Sequence, residues 1–217
     1  MKRKGTFIVF EGPDCSGKTT QIKAVYEELL QMNYKVLNTR EPGGSTIGKS
    51  VRDLMLTDKT IDLCGQSELF LIMADRAQHV KEIISPFLEC GAIVLCDRWV
   101  ESTIAYQGIR KGIDINTILG MHSIASDGVK PDMVFYFNLD SETQRKRLSE
   151  RSGEPDKTEA NQLINDQIRG FYRECSNDNY GECIGDRIDI DCSRSIQEIT
   201  STIVDSIRIF LETNKGV

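Results

Sequence analysis

The sequence predicts an α/β fold, an open parallel five-stranded sheet with helices on both faces, built as one domain over residues 1–217. Three observations predict it. Short apolar runs such as TFIVF alternate with helix-length segments along the whole chain, which is the rhythm of βαβ crossovers. TFIVF is continuously apolar rather than alternating, as expected of a strand buried on both faces. With 217 residues and 39% apolar content, the chain can bury one substantial core and needs no second.

The elements follow in order. TFIVF, residues 6–10, is the first strand, and behind the glycine-rich FEGPDCSGKTT comes QIKAVYEELLQM, with apolar residues at helical spacing. KVLNT is the second strand. Helical patterns over Ile47 to Leu56 and Ser67 to Leu88 lead to the third strand, AIVLCD, and a helix over Asp114 to Ser126 precedes the fourth, DMVFYFNLD. Glu142 to Glu150 and Glu159 to Ser176 are helical, RIDIDC is the fifth strand, and Ile196 to Leu211 is the last helix. Residues 150–162, ERSGEPDKTEANQ, mix charge with Gly153 and Pro155 and have almost nothing to bury, so they are expected to form a mobile surface loop.

Charge and cysteine usage narrow the function. A net charge of −6 argues against a protein that grips nucleic-acid backbone, which needs a dominant basic face. Seven cysteines without paired close spacing, behind an N-terminus with only a five-residue apolar run, fit a reducing cytoplasmic setting. No apolar stretch approaches the roughly 20 residues that span a bilayer, so no membrane role is expected.

Four constellations carry chemistry. Gly12, Gly17, Lys18 and Thr19 complete the G-x-x-x-x-G-K-[ST] phosphate loop, between a strand and a helix as that motif requires. Residues Gly12, Pro13, Asp14, Cys15, Ser16, Gly17, Lys18, Thr19 and Thr20 are expected to form the loop that cradles the ATP phosphates with its backbone N–H groups, Pro13 having none, with Lys18 on the β/γ-phosphates and Thr19 on magnesium. TREPGGSTIG, residues 39–48, sits at the carboxyl end of the second strand, where ligands collect in parallel sheets. Arg40 offers a planar fork of donors there, and Pro42 bends the chain. ADRAQH, residues 74–79, lies in a long helix, and CDRWVESTIAYQG, residues 96–108, closes the third strand. Asp97 at that strand tip is placed to help organise Mg2+, directly or through water, and Arg98 to meet a second anion. Cys15, His79 and His122 are read as structural, since no thiol-activating partner or metal-ligand spacing surrounds them.

GPDCSGKTT, TREPGGS, ADRAQH, DRW and STIAYQG, in this order and at these intervals, resemble the bacterial-type thymidylate kinases of the P-loop nucleoside monophosphate kinase family. The resemblance covers about Thr6 to Glu159 and continues more weakly beyond. It implies phosphorylation of dTMP to dTDP by ATP with Mg2+, in dTTP synthesis, by in-line phosphoryl transfer, and a homodimer formed through helices such as Ser67 to Leu88. It implies that Asp14 approaches the deoxyribose 3′-hydroxyl, that Arg76 and Arg98 hold the phosphate and base region, and that Arg40 and Arg52 stand near the transferring phosphates. Glu41, Pro42, Ser102, Thr103, Tyr106 and Gln107 match the segments lining the acceptor, with Tyr106 discouraging a 2′-hydroxyl.

The sequence departs from the family pattern twice. Ile72 stands where the family usually has a thymine-stacking phenylalanine, with Phe70 two residues back. Cys15 stands where some relatives carry a loop arginine, so the lid, about 145–160, is expected to supply the catalytic charge from Arg151, with Arg147 and Lys157 behind it. Two other readings remain: another nucleoside or deoxynucleoside monophosphate kinase of this fold, and a P-loop nucleotide-dependent switch.

Overall fold

The computed structural model describes residues 5–57, 60–150, 162–175, 177, 180 and 185–214. All five predicted strands form: β1 Thr6–Glu11, β2 Val36–Arg40, β3 Ile93–Asp97, β4 Met133–Asn138 and β5 Asp186–Asp191. They make one sheet in the order β2-β3-β1-β4-β5, with every pair parallel. The central position of β1 explains its sequence. Phe7 and Val9 enter the core on one face of the sheet, Ile8 and Phe10 the core on the other, and all four have no exposed surface.

Helices α1 (Lys18–Gln31) and α9 (Ile196–Asn214) pack together over the face that holds Ile8 and Phe10. The opposite face is covered by several helices in turn. They are α3 (Gly65–His79), α4 (Ser85–Glu89), α5 (Val100–Thr103), α6 (Ile115–Ala125) and α8 (Gln162–Glu174), which all supply core residues beside Phe7 and Trp99, while α2 (Gly48–Arg52) and α7 (Ser141–Glu150) supply none to that cluster.

The helical expectations hold with three adjustments. The span Ile47 to Leu56 becomes α2 followed by a π turn, Asp53–Thr57. The span Ser67 to Leu88 becomes α3, a π turn over Val80–Ile84, and α4. A helix not anticipated, α5 with its π turn Ile104–Ile109, occupies the segment after β3. Nearly all its residues are buried, so it carries no polar stripe from which a helical period could be recognised.

Among the described residues, no helix is long and apolar enough to cross a membrane.

Candidate functional site

The carboxyl ends of β1, β2 and β3 open into one cleft of about 870 Å3. Gly12 leaves β1 at φ +148, and a Cβ there would lie 2.8 Å from the Phe137 carbonyl oxygen, so the close approach of β4 to the loop requires glycine. α1 then begins at Lys18, directing its first free amides at the loop interior. Lys18 Nζ donates to the carbonyls of Gly12 (2.7 Å) and Pro13 (2.8 Å). Burial, then the Arg98 charge, lower its pKa from 10.5 to about 8. Thr19 Oγ1 donates to Asp97 Oδ2 (3.1 Å), while Asp97 Oδ1 is buried without a hydrogen-bond partner among the described residues.

Asp14 stands between the loop and the far half of the cleft. Its carboxylate accepts from Arg98 Nη2 (2.5 Å) and from the Tyr106 hydroxyl (2.6 Å), two groups of the segment after β3. Burial and the Asp14 charge push the Tyr106 phenol well above its usual pKa, so it remains a donor. Arg98 adopts φ +79, a left-handed conformation held by further bonds to the Gly12 carbonyl (3.2 Å) and Ser102 Oγ (3.0 Å). Behind them Glu11 accepts from Trp99 N, Ser102 N, Ser102 Oγ and Tyr172 OH, tying β1 to α5 and α8.

The far half is lined by Arg40, Arg52, Ile72, Arg76, Thr103, Tyr106, Gln107 and Arg110. Arg76, 1% exposed, gives Nε to Glu41 (2.8 Å) and Nη2 to Thr103 Oγ1 (3.0 Å), and its guanidinium lies 4.7 Å over the Trp99 ring. Glu41 therefore serves as an anchor: its other oxygen pairs with His79 Nδ1 (3.0 Å), and His79 Nε2 meets Thr39 Oγ1 at 2.7 Å. His122, 3.2 Å from Arg76 Nη1, is held neutral by burial and by that cation, with its pKa lowered to about 3. Gln107 gives its amide nitrogen to Glu68 (2.9 Å), which leaves its Oε1 buried at the cleft without a hydrogen-bond partner among the described residues.

Ile72 and Phe70 separate sharply. Ile72 is 8% exposed and lines the cleft, whereas Phe70 is 61% exposed and does not line it. Two residues apart on a helix face away from each other, so Phe70 does not take the place of the expected ring.

Near the lid, Arg147 bonds the carbonyls of Cys15 (3.3 Å), Ser16 (3.2 Å) and Cys192 (2.8 Å), clamping the phosphate loop to the end of β5. Arg151 and the lid over 151–160 lie outside the described residues.

The structure brings the other predicted site residues together at this cleft, except Gly12 and Pro13, which are not among its lining residues. Sequence reasoning missed Gln21, Met55, Leu56, Trp99, Arg110, Cys192, Arg194, Ile196 and Ile199, which also line it. Met55 and Leu56 carried a usable signal, being apolar residues on a predicted helix end close to Arg52.

The fold and the phosphate loop define an open α/β P-loop protein of the nucleoside monophosphate kinase type. The comparisons narrow the class. The family model described as thymidylate kinase matches residues 10–203. Thymidylate kinase of Finegoldia magna is 37% identical over 202 residues, covering 93% of this chain and 97% of that protein. Its counterpart in Bacillus pumilus is 34% identical over 215 residues, covering 97% and 99%, and that of Pelotomaculum thermopropionicum is 44% identical over 170 residues, covering 78% and 76%. The chain belongs to the thymidylate kinase family.

Proposed function

We propose that the chain transfers the γ-phosphoryl group of ATP to the 5′-phosphate of dTMP. The observation that carries this reading is one cleft with two anion-binding ends, the amides and Lys18 of the phosphate loop on one side and four arginines, Arg40, Arg52, Arg76 and Arg98, on the other. A switch that binds one nucleotide has no use for the second end.

Lys18 leaves the loop carbonyls for the β/γ-phosphates, whose charge restores its proton affinity. Arg98, Arg40 and Arg52 hold the acceptor phosphate in line, which supplies the positioning that phosphoryl transfer needs. Asp14 and Tyr106 face the sugar, where Asp14 accepts from the 3′-hydroxyl. Gln107 Oε1, fixed as an acceptor by Glu68, takes the N3–H of thymine, while cytosine offers an acceptor at that position and leaves the oxygen unpaired. Ile72 with Met55 and Leu56 forms an aliphatic wall against the base.

Magnesium fits at Thr19 and Asp97, because Asp97 Oδ1 is a buried oxygen without a hydrogen-bond partner among the described residues. When bound there, the ion offsets charge on the ATP phosphates. Arg151 is the first choice for the lid charge, on sequence grounds.

A homodimer rests on exposed apolar residues of two helices that pack side by side, Phe70 on α3 and Ile124 (84% exposed) on α6. Phe70→Asp combined with Ile124→Lys is expected to give the mass of a monomer in light scattering. An unchanged mass rules out this face.

The test of the activity is ATP consumption with a panel of nucleoside monophosphates. Turnover is expected to be highest with dTMP, lower with dUMP and negligible with dCMP. Preference for a cytosine or purine monophosphate makes the chain a different kinase of this fold, and no turnover with any acceptor overturns the reading.

A further inference from the structure

Asp75 is 1% exposed and lies beneath the loop that follows β2. Its Oδ2 accepts from Gly43 N (2.9 Å) and its Oδ1 from Ser45 Oγ (2.5 Å). Ser45 Oγ in turn accepts from Gly48 N (2.9 Å), so the carboxylate is fixed from two directions. It is not the only clamp from this helical stretch. His79 holds Thr39 and Glu41, and Glu82 holds Thr46 N (3.1 Å) and its hydroxyl. The spacing 75, 79, 82 puts all three on one stripe facing the loop.

The Gly43 N–H that Asp75 holds belongs to the same peptide unit as the Pro42 carbonyl. That carbonyl accepts from Arg52 Nη1 at 3.0 Å. A carboxylate and a guanidinium are thus joined through one peptide plane, and each hydrogen bond polarises the unit in the direction that strengthens the other. Arg52 needs such an anchor, because burial and the neighbouring Arg40 charge both act against its cation. Asp75 does not line the cleft and Arg52 does.

We propose that Asp75 is a positioning residue for the acceptor phosphate, setting the guanidinium of Arg52 through the Pro42–Gly43 peptide. The proposal rests on dTMP being the acceptor. It explains why ADRAQH matters beyond Arg76: the same helix that presents Arg76 to the base end also aims Arg52 at the phosphate end.

The test is a double-mutant cycle on the full chain with Asp75→Asn and Arg52→Ala, reading KM for dTMP, KM for ATP and kcat separately. An asparagine keeps the size but loses one acceptor, so Asp75→Asn is expected to raise KM for dTMP on the order of tenfold, with KM for ATP changed less than about twofold. Because Asp75 acts through Arg52, the double variant is expected to be no worse for dTMP than Arg52→Ala alone. Additive effects, or an equal rise in KM for ATP, overturn the proposal. Should Asp75→Asn fail to fold, Ser45→Ala frees one side of the carboxylate and is held to the same non-additivity with Arg52→Ala. A wild-type chain inert toward dTMP overturns this inference and the functional reading together. An active wild type with additive variants overturns this inference alone.

Discussion

Replacing Glu101 by glutamine is expected to stabilise the protein above neutral pH and not below pH 5. Glu101 is 1% exposed, and its Oε1 accepts from Tyr136 OH (3.1 Å) while Oε2 has no hydrogen-bond partner among the described residues. Burial first, and then the charge of Glu11, raise its pKa from 4.5 to about 7. Between those values the folded chain keeps a proton that the unfolded chain has released. Stability from this group is therefore full below about pH 4.5, declines as pH rises to about 7, and stays lost above. At about 1.4 kcal/mol per tenfold in proton affinity, the full displacement is worth roughly 3 kcal/mol. A neutral amide escapes that cost, so Glu101→Gln is expected to gain about 1–3 kcal/mol at pH 8, with most of the gain gone at pH 5. Urea unfolding at both pH values, with an unchanged m-value, measures it. An identical difference at pH 5 and pH 8, or a less stable variant at pH 8, refutes the reasoning.

Three further outcomes are expected. Arg98→Ala removes charge-assisted contacts at the acceptor and is expected to lower kcat/KM for dTMP by about a hundredfold, read in steady-state kinetics, and near-wild-type turnover contradicts the assigned role. Because the Lys18 pKa is lowered to about 8, ATP affinity of the free protein is expected to fall up to about tenfold per pH unit above 8. Over that same range the folding stability contributed by Lys18 rises, so binding titrations and urea curves should move in opposite directions, and Lys18→Met should flatten both. Gly44→Ala puts a Cβ 2.3 Å from His79 Nε2 and 2.6 Å from the Arg40 carbonyl oxygen, which is expected to cost about 1–3 kcal/mol in thermal or urea unfolding and to impair dTMP turnover.

The inner sheet was legible because parallel strands are apolar on both faces, and β1, β3 and β4 satisfy that condition along nearly their whole length, whereas the edge strands β2 and β5 carry polar, partly exposed residues. The phosphate loop was legible because a strand, a turn and a helix carry its chemistry within a few consecutive residues. The clamp of Asp75, His79 and Glu82 on the loop after β2 was not. It joins residues some 30 to 40 positions apart, and each acid or histidine taken alone looks like an ordinary polar residue of a helix. Glu41 shows the same limit: sequence assigns it to the acceptor, while geometry gives its carboxylate to Arg76 and His79. The fate of Phe70 was decided by helical phase, since Ile72 and Arg76 are four residues apart on one face and Phe70 is not on it.

The outer strand β5 reads Asp186-Arg187-Ile188-Asp189-Ile190-Asp191, and among the described residues nothing pairs with its free side. An unpaired backbone edge invites a second chain to add to it. Here a copy approaching edge to edge would bring rows of aspartates against each other in a strand only six residues long. The same charges that make β5 the least apolar strand therefore guard this edge against polymerisation through the backbone.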